Sequence, residues 1–202
     1  MPQVRGLGER YIRAVRLALD VHRSQLRKGT RIPYVAHVVS VSGMALENGG
    51  SEDAAIAGLL HDSIEDSDDG SAMDHRIRQE FGPQVATTVL RCSDAVAVPG
   101  RDKPPWRKRK EAYLNQLRGE RDPDVLLVSA CDKLHNARAI VADLRDIGDE
   151  LWVRFNAPSS EQLWYYRSLV DAFLPHRHIR RVQLELERTV ADMFRLSHAT
   201  LS

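Results

Sequence analysis

Cysteine is scarce in this chain of 202 residues: only Cys92 and Cys131 occur, too few for a disulfide scaffold and consistent with a reducing compartment. Apolar runs are short, and none approaches the roughly 18 residues that a membrane span requires. The N-terminus carries no signal-peptide pattern. These two absences lead us to expect a cytoplasmic protein with no membrane partner. Net charge is nearly absent as well, at +1, which excludes a uniformly basic nucleic-acid binder. Alternating apolar and polar residues of the kind that mark strands are missing, as are internal repeats and low-complexity linkers. The sequence therefore predicts one all-helical domain over residues 1–202, with about eight to ten helices. At this length roughly 70% of the unfolded chain's surface can be buried, enough for a core without covalent staples.

The charge that is present is segregated. Residues 61–74 hold six acids and no Lys or Arg, whereas 101–110 hold six bases and one acid. Helix signals punctuate the chain. Tyr11, Val15, Ala18, Leu19, His22 and Leu26 recur at spacings of three and four, and Gly29 and Pro33 break the pattern. A second helix is expected from Tyr34 to about Glu47. Ser51 is an N-cap candidate for a third, which should run past Leu60 into the acidic stretch near Ser67. Further helices are expected over Ser71–Phe81, from Pro83, over Trp106–Leu117 and from Asp122-Pro123 through Leu144. Ser159 with Gln162 has the form of a capping box, and Ile179, Val182, Leu186, Val190 and Met193 give the last helix its buried stripe.

Three polar interruptions of apolar segments carry the chemistry. His61-Asp62-Ser63-Ile64-Glu65-Asp66 follows directly on Ala54–Leu60, where ionisable groups are costly to bury without a compensating cation or solvent. His37 lies on the preceding helix. Asp132 sits inside the run Val125–Ile140, with Asn136 one turn on. His37, His61, Asp62 and Asp132 form a mixed imidazole and carboxylate set of the kind that binds manganese, iron or zinc. Among the other histidines, His22 reads as packed and His135 as a structural neighbour of a ligand. His75, His176, His178 and His198 read as surface residues. Cys131 reads as a small packing residue. Arg107, Lys108, Arg109 and Lys110 are either a solvated helix face or a contact for substrate phosphates. Trp106 and Tyr113 are too few aromatics for a nucleic-acid patch.

The order His…His-Asp…Asp resembles the metal-dependent phosphohydrolases of the HD superfamily. The fuller pattern is similar to the hydrolase domain of RelA/SpoT-type alarmone enzymes: Gln25-Leu26-Arg27-Lys28-Gly29, Pro33-Tyr34, His37, His61 to Asp66, then Asp132-Lys133-Leu134-His135-Asn136-Ala137-Arg138. It covers about residues 9–145. The length leaves no space for a synthetase domain, so the small alarmone hydrolases are the expected relatives. The resemblance implies a compact HD-type helical bundle that hydrolyses the 3′-pyrophosphate of guanosine tetra- or pentaphosphate to GDP or GTP and pyrophosphate. It implies a divalent ion, manganese, held by His37, His61, Asp62 and Asp132, with Glu65 and Asp66 as the acid–base pair. It further implies that Arg27, Lys28 and Asn136 contact the guanine nucleotide. The chain departs from the family pattern at Val38, at Cys131 and Lys133 around the last ligand, and at Ala139. Two alternatives stay open: an HD phosphohydrolase acting on another nucleotide (NADPH or a nucleoside phosphate), and a nucleotide-binding regulator without turnover.

Overall fold

In the computed structural model, residues 6–93 and 104–198 are described. Their helices are α1 (Glu9–Val21), α2 (Val35–Glu47), α3 (Glu52–Leu60), α4 (Ser63–Asp66), α5 (Gly70–Phe81), α6 (Pro83–Cys92), α7 (Trp106–Gly119), α8 (Pro123–Ile147), α9 (Ser159–Phe173) and α10 (Arg180–His198). Short 3-10 segments cover Gly148–Arg154 and Arg177–Ile179. Among the described residues the β-type pairing is limited to an isolated bridge between Leu26 and Pro33.

The longest helix, α8, is the axis of the bundle. At 25 residues it spans about 37 Å. Helices α2, α3, α6, α9 and α10 pack on it. Its start is fixed by Asp122, whose side chain accepts from the backbone N–H groups of Asp124 and Val125, and by Pro123 in the first turn. Helix α3 is enclosed on all sides: every residue from Ala54 to Leu60 is buried. Such a helix shows no one-sided apolar stripe, because it has no solvent face. Gly58 permits this enclosure. A Cβ there would stand 3.0 Å from the Ser42 Cα of α2.

Two local expectations are corrected. The third helix is not continuous to Ser67: the chain turns at His61 and Asp62 and resumes as the single turn α4. The capping box at Ser159 does not form. Ser159 is the first helical residue, Pro158 occupies the cap position, and the Pro158 carbonyl accepts from the Gln162 N–H. The expected loop over 96–105 falls mostly outside the described residues.

Candidate metal centre and its cavity

The turn between α3 and α4 sets the site. His61 closes α3, and its Nδ1 lies 2.9 Å from the Gly58 carbonyl oxygen. That contact holds a proton on Nδ1, so the neutral ring carries its lone pair on Nε2, the form a metal ligand needs. Asp62 occupies the N-cap of α4 but makes no capping bond with its side chain. An aspartate at a cap ordinarily accepts from the helix backbone. Here its Oδ2 accepts instead from the Tyr34 hydroxyl. Helix α2 supplies His37 and α8 supplies Asp132, both buried.

Four atoms converge. Asp132 Oδ1 is 3.2 Å from His37 Nε2 and 3.6 Å from His61 Nε2. Asp62 Oδ2 is 3.0 Å from His61 Nε2 and 3.8 Å from His37 Nε2. Both Nε2 atoms are buried and neither makes a hydrogen bond. Metal–ligand bonds of about 2.1 Å place neighbouring donor atoms about 3.0 Å apart in an octahedral site and about 3.4 Å apart in a tetrahedral one. The spacing found fits the edges of either polyhedron. The ligating atoms of His37, His61 and Asp132 all lie within 4.8 Å of one another, and this trio suits a divalent ion.

The protein alone holds these groups through mutual charge. Burial works against the Asp132 carboxylate, and the Lys133 ammonium with the two imidazoles more than offsets it, so its pKa lies well below the usual range. Burial likewise opposes ionised Asp62, and the His61 charge outweighs it, again lowering the pKa. For His61 burial disfavours the imidazolium, yet Asp62 and Asp132 together hold its pKa well above the ordinary value. His37 is lowered, chiefly by burial. His135, whose Nδ1 lies 2.9 Å from His37 Nδ1, is pushed down to about 4 by burial and by His37.

Beside the ion cluster lies a cavity of about 560 Å³. Its wall includes Arg27, Lys28, Tyr34, Asp62, Glu65, Asp132, Lys133 and Asn136, so most residues singled out from the sequence share it. Asn136 links two of them: its Nδ2 donates to Asp132 Oδ1 at 2.6 Å, and its Oδ1 accepts from the Arg27 guanidinium at 2.7 Å. Asp66 is placed differently. It is not part of the cavity wall, and its Oδ2 accepts from Gln25 Nε2 at 2.9 Å and lies 4.0 Å from His22 Nδ1. Burial raises the Asp66 pKa.

The basic stretch divides. Arg109 and Lys110 line the cavity, with the Lys110 ammonium 4.8 Å from the Tyr165 ring centroid. Arg107 lies on the Trp164 ring, 3.2 Å from its centroid, and pairs with Glu111 and Glu161; it and exposed Lys108 are outside the cavity wall. Residues 101–103 of that stretch lie outside the described ones. Tyr165 and Tyr166 face the cavity and Trp164 does not.

His22 is buried, as its stripe position implies, and its Nδ1 lies 2.6 Å from Gln25 Oε1. His176, read as a surface residue, is buried, with Nε2 3.0 Å from the Leu117 carbonyl oxygen. His75 and His178 are exposed, and the His198 side chain lies outside the described residues. Cys131 is fully buried, its thiol pushed up to about 12 by burial.

Sequence reasoning passed over one whole side of the cavity. Asp143, Leu151, Arg154, Phe155, Asn156 and Gln162 belong to it. Lys28 Nζ donates to Asn156 Oδ1 at 2.8 Å, and Arg154 pairs with Asp143 at 2.8 Å. The one local signal was an arginine and an asparagine bracketing Phe155, directly after the apolar Leu151-Trp152-Val153 at the end of the 3-10 segment.

Known proteins resemble this chain in sequence and in fold. A guanosine-3′,5′-bis(diphosphate) 3′-pyrophosphohydrolase of Haemophilus influenzae is 33% identical over 129 residues, covering 61% of this chain and 18% of that protein. The bifunctional (p)ppGpp synthase/hydrolase SpoT of Escherichia coli is 31% identical over 143 residues, covering 68% of this chain and 18% of its own length. The chain thus spans about a fifth of these curated relatives. Among solved structures, a metazoan ortholog of SpoT, described as hydrolysing ppGpp, superposes with a TM-score of 0.67 at 23% identity, covering 95% of this chain and 97% of that one. A Listeria monocytogenes protein superposes with a TM-score of 0.66 at 26% identity, covering 79% of this chain and 99% of that one. The family model described as the HD domain matches residues 14–155. The chain belongs to the HD domain family.

Proposed function

We propose that this chain, as one domain over residues 1–202, is a divalent-metal-dependent pyrophosphohydrolase acting on guanosine tetra- and pentaphosphate. It would release the 3′-pyrophosphate and leave GDP or GTP. One observation carries the reading: an ion-sized cluster of His37, His61, Asp62 and Asp132 opens on a cavity lined on other sides by Arg27, Lys28, Arg109 and Lys110. That combination suits a substrate bearing several phosphates whose scissile end needs a cation. The relatives named for ppGpp hydrolysis support the same substrate.

The four ligands would hold manganese in our reading. A bound divalent ion makes its coordinated water more acidic and polarises a phosphoryl oxygen. The protein's own groups do the rest. Glu65, in the cavity wall beside Asp62, accepts the proton of the attacking water. Asp66, the other member of the acid–base pair, is held by Gln25 behind the cavity wall and would pass a proton to the leaving group through water or Glu65. Arg27 packs its planar guanidinium against the guanine, Lys28 lies beside it, and Asn136 faces the ribose. Arg109 and Lys110 meet the phosphates distant from the ion. The two cysteines are free and buried, and we place the protein in the cytoplasm.

The test is a product assay. Manganese-loaded protein is incubated with guanosine tetra- and pentaphosphate, other nucleotides and NADPH, and each product is identified. GDP or GTP plus pyrophosphate from the guanosine alarmones is expected. Turnover confined to NADPH or another nucleotide, or no turnover, overturns the reading.

A further inference from the structure

The two carboxylate oxygens of Asp132 face different partners. Oδ1 points to His37 Nε2 and His61 Nε2, at 3.2 and 3.6 Å, and accepts from Asn136 Nδ2 at 2.6 Å. Oδ2 accepts from the Lys133 ammonium at 2.5 Å. Residues adjacent in a helix diverge by about 100° and do not ordinarily meet. The Lys133 stem folds back across α8 to reach its neighbour, with its ammonium 5.1 Å from the Tyr113 ring centroid. Both side chains are largely withdrawn from water, at 14% and 7% exposure, so this charge pair is not screened as a surface pair would be.

We infer that Lys133 is a positioning residue: by occupying Oδ2 it confines Asp132 to single-oxygen ligation and keeps a coordination position open for water or a phosphoryl oxygen. The inference rests on the ligand set proposed above. An active metal centre needs such an open position, and a carboxylate binding through both oxygens would fill it. Asn136 already orients Oδ1, so Lys133 is not needed to aim the carboxylate at the ion. Its ammonium repels a divalent cation and lowers ion affinity. Removing Lys133 therefore acts with the opposite sign to removing a mere support, whose loss typically weakens metal binding about tenfold to a hundredfold.

The experiment compares wild type with Lys133→Met, Lys133→Gln and Lys133→Arg. Manganese affinity is measured by calorimetry, the number of exchangeable waters on bound manganese by water-proton relaxation, and turnover with guanosine tetraphosphate. For Lys133→Met we expect manganese binding tighter by about tenfold or more, fewer exchangeable waters, and kcat lower by about tenfold with KM little changed. Lys133→Arg should restore all three. Should Lys133→Met not fold, Lys133→Gln carries the test: its amide still donates to Oδ2, so binding should tighten while the water count stays at the wild-type value. Weaker manganese binding in Lys133→Met, or an unchanged water count, overturns the inference alone. Failure of wild type to bind manganese overturns the ligand set, and this inference with it.

Discussion

The floor and the rim of the cavity are built on different principles. At the floor, His37, His61, Asp62 and Asp132 are each held by a second protein group: His135, the Gly58 carbonyl, Tyr34, and the pair Lys133 and Asn136. They come from α2, from the turn after α3 and from α8, elements packed through the core. At the rim, Arg27 and Lys28 stand on a tight loop and are tied by single hydrogen bonds to Asn136 and Asn156. Arg109 and Lys110 enter from α7, beyond residues 94–103. A buried group leaves an unpaired charge behind when its partner is removed, whereas a rim cation loses only what solvent and salt have not already screened. The floor should respond to mutation all at once and the rim by degrees.

The sharpest way to break this contrast is Asp132→Asn, which keeps the shape and removes the charge. We expect manganese binding by calorimetry to be lost and turnover to fall by about a thousandfold or more. Glu65→Gln comes next. Elemental analysis should find metal content near normal, with turnover slowed by about a hundredfold; loss of metal would make Glu65 a ligand or a support. At the rim, Arg27→Lys should raise KM by about tenfold while changing kcat less, and weaken discrimination between guanine and other bases. The smallest effect separates two halves of one helix turn. Neutralising Arg109 and Lys110 together should raise KM for every polyphosphate by about threefold to tenfold and flatten its salt dependence. Neutralising Arg107 and Lys108 should leave both unchanged, because Arg107 is engaged with Trp164, Glu111 and Glu161.

The floor was legible in the sequence for a physical reason. A histidine, an aspartate or an asparagine inside an apolar helix must find a partner, and His37, His61 and Asp132 each stood out against such a background. Caps at Ser51 and Asp122 were legible too, since a cap is a bond within four residues. What stayed hidden depends on distant neighbours. The sequence of Trp164, Tyr165 and Tyr166 does not show which ring turns inward; the packing of α9 on α7 does. Likewise nothing local marks Arg154 or Asn156 as opposite Gly29 and Lys28, more than a hundred residues away. The broken third helix had a visible cause only in hindsight. Asp62 caps a new turn with its backbone position while its carboxylate is drawn to Tyr34 and His61.

Gly29 has a backbone φ of +70°, and an added Cβ would stand 2.4 Å from the Arg154 Cδ. Arg154 thus lies flat on bare backbone, and its guanidinium is fastened to Asp143 beyond. Residues 25–34 and 148–156 are thereby tied together along the cavity wall, with the Lys28–Asn156 bond as a second clasp. A single methyl group at position 29 would act as a wedge between them, lifting Arg154 from Asp143 and drawing Lys28 away from Asn156. The spacing of these two segments is set by an atom that glycine does not have.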